Sequence, residues 1–250
     1  MASPNMAHTL LCGGSALDDP LFSTLGCDDD SAAPGSIPPA CLSGSAAPLA
    51  AALVSDQPLD DDCFDQLLPA DLRLASSVYW TPLEVVRRAS QWLEQLGIRS
   101  VVDIGSGVGK FCIAGALATR CTFTGVEHRP HLTVVARQLS RAFGVQDRVS
   151  IVDGRFGEVA LPRADCYYLY NPFEENLSPP DEALDHRVEL SIVRFRGELR
   201  AFRSLVSSLP LGAYVLAYNG VGGRWPDCLE PRRVDRGLPA VLRLFQKGQS

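Results

Sequence analysis

The stretch Val101-Val102-Asp103-Ile104-Gly105-Ser106-Gly107-Val108-Gly109-Lys110-Phe111 decides how the chain folds. Its first four residues read as a short buried strand. Three glycines at alternate positions then make a tight turn, and Lys110 opens a helical pattern. Glycine accepts positive φ and lets a ligand come close to the backbone. Two nucleotide-binding patterns do not fit. The G-x-G-x-x-G fingerprint needs a small residue where Lys110 stands. In G-x-x-x-x-G-K-[ST], Gly105 would be one residue too close and Phe111 would replace the hydroxyl. The pattern that remains is D-x-G-x-G-x-G, from Asp103 to Gly109.

Upstream, Thr81-Pro82-Leu83-Glu84 reads as a helix start, with Thr81 as cap, Pro82 at the first helical position and Glu84 completing a capping box. Val85, Val86, Ala89, Trp92, Leu93 and Leu96 follow at helical spacing, and Gly97 ends the helix. Downstream, strands and helices alternate. Strands are expected at Thr122 to Glu127, Val149 to Asp153, Asp165 to Tyr170, Ala213 to Tyr218 and Ala240 to Gln246. Helices are expected at Lys110 to Thr119, at Pro130 to Phe143, and along the stripe Val188, Ile192, Phe195, Leu199, Phe202, Val206 and Leu209. Such alternation implies an α/β fold with a mainly parallel sheet covered on both faces. Ligands on such sheets bind beyond the carboxyl ends of the strands.

The D-x-G-x-G-x-G segment resembles the first motif of the class I S-adenosylmethionine (SAM) dependent methyltransferases. The resemblance covers roughly residues 76–250. It implies a Rossmann-like, doubly wound sheet of the seven-stranded type, with SAM as cofactor. By the resemblance, Asp103 helps hold the methionine moiety, and Gly105, Gly107 and Gly109 make room for the cofactor. Glu127, which closes the second strand, accepts from both ribose hydroxyls, and Asp153 with Gly154 receives the adenine amino group. Tyr79 and Thr81 lie in an element that many members close over the cofactor. The fourth strand ends in Tyr170-Asn171-Pro172-Phe173, similar to a shortened [DN]-P-P-[YF] signature of amino methyltransferases. In that signature the Asn accepts from the target amine, the Pro fixes the backbone and the aromatic packs on the substrate. The resemblance therefore names Asn171, Pro172 and Phe173 as the catalytic candidates and a nitrogen on a protein side chain or small amine as the acceptor.

Composition sets the outer limits. The first 72 residues hold eleven Asp and no Lys or Arg, so the rest of the chain is net positive by five charges. Residues 1–62, rich in Ser, Ala, Gly, Pro and Asp, are expected to form a disordered acidic tail, and residues 63–250 the domain. The eight cysteines form no C-x-x-C pair and no His sits at metal-ligand spacing, so no metal site is expected and the thiols read as reduced, in a cytoplasmic protein. No apolar run reaches the roughly 20 residues of a membrane span. Two rival readings stand beside the amine methyltransferase. Arg187, Arg194, Arg196, Arg200 and Arg203, clustered on the long helix, would suit an RNA or DNA substrate. Alternatively, the chain would be a non-catalytic SAM-binding scaffold. Glu174, Glu175 and His186 follow the fourth strand, and of these His186 is the possible base.

Overall fold

The computed structural model describes residues 46–179 and 182–249. The disorder expected for residues 1–45 lies outside them. Seven strands form one sheet: β1 (Ser100–Ile104), β2 (Thr122–Glu127), β3 (Val149–Asp153), β4 (Cys166–Tyr170), β5 (Tyr214–Tyr218), β6 (Leu229–Asp235) and β7 (Leu242–Lys247). Their order is β3-β2-β1-β4-β5-β7-β6. The first five run parallel, and β7 is antiparallel to both β5 and β6. After β1 the chain winds outward to β2 and β3, then returns to place β4 on the other side of β1. The topological switch point thus lies between the carboxyl ends of β1 and β4, where a crevice opens.

The sheet is covered unequally. One face carries α5 (Leu83–Gln95), α6 (Lys110–Ala118) and α7 (Pro130–Ala142), with Leu93, Ile113 and Leu139 buried among them. The other carries α8 (Ile192–Ser208) through Phe195, Phe202 and Val206. There the β3–β4 and β5–β6 connections are coil, and Phe156, Val159, Leu161 and Trp225 fill the space that helices would take.

The expected tail boundary at residue 62 is too late. Residues 46–54 form α1 (Ala46–Val54) and residues 61–65 form α2 (Asp61–Asp65), followed by the short α3 (Ala70–Leu74) and α4 (Ser76–Tyr79). The cause lies in α6, which buries every residue from Lys110 to Ala116. A helix apolar all round needs cover on its outer side as well. Leu49 and Leu53 of α1 pack into that core, and Phe64 of α2 stacks on Phe143 at 5.4 Å. Leu53→Ala should therefore cost about 2–3 kcal/mol, read as a lowered urea midpoint. A detached tail would leave the midpoint unchanged.

Three other expectations shift. α5 begins at Leu83, after Pro82, and no side chain of the Thr81 segment caps it. Asp61 instead accepts from the Leu83 amide at 2.8 Å, and the Thr81 hydroxyl lies 2.9 Å from that of Tyr168. α8 begins at Ile192 rather than near Val188, because the Ser191 hydroxyl caps it by accepting from the Arg194 amide. Strand β6 escapes the periodicity reading. It carries Pro231, Arg232 and Arg233 at the sheet edge, with a bulge between Pro231 and Arg233, where proline is tolerated and apolar alternation is not required.

Candidate active site

The carboxyl ends of β1, β2 and β4 line a cleft of about 560 Å³, together with Asn219 just past β5. That lies within the roughly 300–1,000 Å³ range of small-molecule sites. The glycine turn forms its floor. The amides of Gly105 and Ser106 both donate to the Val126 carbonyl, at 2.9 and 3.0 Å, which ties the turn to β2. Gly107 has φ +55°, and a Cβ there would run into the Trp80 ring. The room cleared by this glycine is therefore filled by Trp80. Its indole N–H donates to the Leu72 carbonyl at 3.0 Å and its ring lines the cleft. At Gly105, a Cβ would meet Pro172 at 3.0 Å, so the first and fourth strands' turns pack directly together.

Glu127 closes β2 with its carboxylate turned onto the glycine turn. One oxygen accepts from the Gly107 amide at 3.0 Å and the other from the Arg129 amide at 2.9 Å. Burial pushes this carboxyl above the ordinary range, against the lowering pull of those amides and of Arg129. Burial likewise pushes His128 down, to about 3, with the neighbouring Arg194 and Arg129 acting in the same direction. His128 is thus neutral at pH 7, and its contact with Glu127 at 3.3 Å is not an ion pair. Its Nε2 is buried on the cleft wall without a partner. Arg129 is buried and reaches Glu175 at 2.7 Å and Asp185 at 3.3 Å, linking the end of β2 to the segment after β4.

At the end of β4, Asn171 has φ +37°, a left-handed conformation that Asn tolerates better than most residues. Its Nδ2 donates to the Glu174 carboxylate. Because a carboxylate only accepts, this fixes the amide orientation and leaves Oδ1 as the buried atom without a partner. Phe173 also lines the cleft, but it is buried in the core, stacked on Phe156 at 5.8 Å and tilted against Phe202. It acts as a fixed wall. Asn176, only 7% exposed, donates through Nδ2 to the Phe173 carbonyl and to Glu198, and its Oδ1 is likewise unpartnered.

The structure brings Tyr79, Gly105, Gly107, Glu127, Gly154, Asn171, Pro172 and Phe173 to the cleft. Four other residues named from the sequence lie off its wall. Asp103 is 2% exposed behind the turn, where Cys112 Sγ donates to it at 3.4 Å, and burial raises its carboxyl to about 7. Gly109 is the N-cap of α6 and packs on Ala136. Thr81 is buried against Tyr168, and Asp153 is exposed at the end of β3, beside Gly154. His186 is exposed and also off the wall. Tyr79 donates to the Glu182 carbonyl at 2.7 Å. Trp80, His128, Arg129, Asn176 and Glu198 were not legible as site residues, and Arg194 was named only as part of a basic cluster for nucleic acid. His128 and Arg129 follow directly on Glu127, and that adjacency was the available signal. Among the described residues, no group of three or more His, Cys, Asp or Glu could hold a metal ion, and no helix is long and apolar enough to cross a membrane.

No protein-family model and no curated protein matches the chain. Solved structures do. Mitomycin 7-O-methyltransferase MmcR superposes over 80% of this chain and 60% of its own, with 18% identity and a TM-score of 0.50. An RNA methyltransferase from Salinibacter ruber, in complex with S-adenosyl-L-homocysteine, covers 68% of this chain and 94% of its own, with 24% identity and a TM-score of 0.49. A putative O-methyltransferase from Klebsiella pneumoniae covers 81% and 90%, with 12% identity and a TM-score of 0.49. Strand order, the antiparallel β7 and the match to MmcR define the fold. It is the Rossmann-like, seven-stranded fold of the class I SAM-dependent methyltransferases.

Proposed function

We propose that this chain is a SAM-dependent methyltransferase whose acceptor atom is a nitrogen. The observation that carries the acceptor assignment is the buried, unpartnered Oδ1 of Asn171, beside the glycine turn. A buried acceptor without a partner costs about 1–3 kcal/mol, so the site favours a ligand that donates a hydrogen bond to it.

The cleft suits the cofactor. Glu127 and the Gly105 end of the turn would hold it beside Trp80, which keeps the space over Gly107, with His128 Nε2 as a further unpartnered polar atom on the same wall. Bound SAM supplies the methyl group, on a sulfonium. The chain's own residues do the rest. Asn171 accepts from the acceptor N–H and turns the nitrogen lone pair into the cleft, while Glu174 holds the amide in that orientation. Pro172, packed on Gly105, fixes the distance between the acceptor residue and the cofactor turn. Trp80 and Phe173 exclude water. Such a site works by proximity and orientation.

A nucleic-acid substrate fits less well. Arg196, Arg200 and Arg203 are exposed on α8, but Arg194 is tied to Glu198 at 3.0 Å and Arg187 precedes the helix. Carboxylates line the cleft itself and would repel phosphate.

Glu127→Ala removes a charged acceptor, and a hydrogen bond to a charged group is worth about 1.5–3 kcal/mol. Calorimetry with S-adenosylhomocysteine should show affinity reduced roughly ten-fold or more. Wild-type affinity in the variant would remove Glu127 from the cofactor site. Transfer of labelled methyl from SAM to amines, and not to alcohols or nucleic acid, tests the acceptor assignment.

A further inference from the structure

The charge of the cleft wall is lopsided. Five carboxylates line it (Glu127, Glu174, Glu175, Glu182 and Glu198) against two guanidinium groups, those of Arg129 and Arg194. Arg129 is taken by Glu175 and Asp185, and Arg194 by Glu198. Among the described residues, Glu127, Glu174 and Glu182 have no ion pair with a charged side chain. Bound SAM would carry a net single positive charge, from sulfonium and ammonium against one carboxylate, so it would not balance the wall by itself.

Hydrogen-bond capacity points the same way. Asn176, 93% buried by its 7% exposure, presents an Oδ1 without a donor on this wall, and Asn171 Oδ1 is in the same state. Glu174 connects the two observations, since its one hydrogen bond is the one that turns Asn171 Oδ1 free. Unmatched acceptors next to an unmatched anion call for a ligand that donates several hydrogen bonds and is positively charged.

We propose that the methyl acceptor enters the cleft as a cation, a protonated amine-type molecule or side chain whose charge is read by Glu174 beside Asn171; it gives up one proton to solvent, and the freed lone pair then takes the methyl as the sulfonium S–C bond breaks to leave the neutral thioether. This rests on the methyltransferase reading and narrows its acceptor to cationic amines. Glu174 is exposed, so the attraction is screened and should weaken as salt is raised.

The test uses the full chain with tritiated SAM and heat-treated lysate of the source cells, with S-adenosylhomocysteine binding measured in parallel. After total hydrolysis, the labelled species should be retained on a cation exchanger at pH 7. Glu174→Gln keeps an oxygen that accepts from Asn171 Nδ2 and removes only the charge. It should raise KM for that acceptor about ten-fold at low salt, leave the affinity for S-adenosylhomocysteine unchanged, and be rescued by Glu174→Asp. S-adenosylhomocysteine binding without a labelled cation, or an unchanged KM in Glu174→Gln, would overturn the charge assignment alone. Failure of the wild type to bind S-adenosylhomocysteine would overturn the methyltransferase reading and this inference with it.

Discussion

Lys110→Met should cost the domain about 3–5 kcal/mol, the loss expected when one partner of a buried ion pair is removed. The Lys110 side chain is 2% exposed. Its Nζ lies 2.7 Å from Asp61 and 2.8 Å from Asp65, with Ser76 Oγ at 3.4 Å. Asp65 is 6% exposed at its side chain, so the substitution would leave it as a buried charge with no counter-ion. Methionine keeps the length of the stem and its packing on Phe64, so the loss is one of charge more than volume. Lys110 is also the first residue of α6, directly after the glycine turn, and Asp61 holds the first amide of α5. The substitution should therefore weaken cofactor binding as well as stability. Urea unfolding gives the cost. The double variant Lys110→Met, Asp65→Leu should lose less than the sum of the two single changes, since each alone breaks the same pair. A loss below about 1 kcal/mol for Lys110→Met, the scale of an exposed pair, would show that the cluster does not hold the N-terminal helices to the turn.

Asn171→Gly should reduce turnover on the order of a hundred-fold, the scale of losing a contact that orients a reacting group. Glycine is the cleaner deletion because residue 171 has φ +37°. Asn171→Ala would add about 1–2 kcal/mol of left-handed backbone strain. Binding of S-adenosylhomocysteine should stay close to wild type in Asn171→Gly, because the cofactor is assigned to Glu127 and the glycine turn. Steady-state kinetics and calorimetry on the same preparation separate the outcomes. Parallel loss of binding and turnover would make Asn171 a cofactor residue. Full turnover would exclude it from amine orientation.

Strands β1 to β5 and β7 were legible because each is a short apolar run bounded by turn residues. Edge strand β6 was not, since an edge needs little apolar pattern. Helix α1 was misread as tail because its stabilisation lies in another element. Leu49 and Leu53 are ordered by the outer face of α6, and only the all-round apolarity of residues 111–117 hinted that such cover was needed. In the cleft, position along the chain pointed to Glu127 and Asn171 because one ends β2 and the other follows β4, and the carboxyl ends of both strands face the cleft. It could not say which way a carboxylate turns. Asp103 turns into the core toward Cys112, and Asp153 stays in solvent. Lys110 was legible only as the first residue of a helical pattern and as the residue that breaks the G-x-G-x-x-G fingerprint. Its partners come 45 and 49 positions earlier, a pairing that no local spacing shows.

SAM is assigned to the cleft between the glycine turn and the end of β4. Hydrogen exchange of the full chain with and without S-adenosylhomocysteine tests that assignment most directly, since it locates the ligand without needing the acceptor. The amides of Gly105 to Gly107 and of His128 and Arg129 should exchange more slowly when the ligand is present, with the outer face of α8 unchanged. Unaltered exchange at the turn and at the end of β2, under saturating ligand, would contradict it.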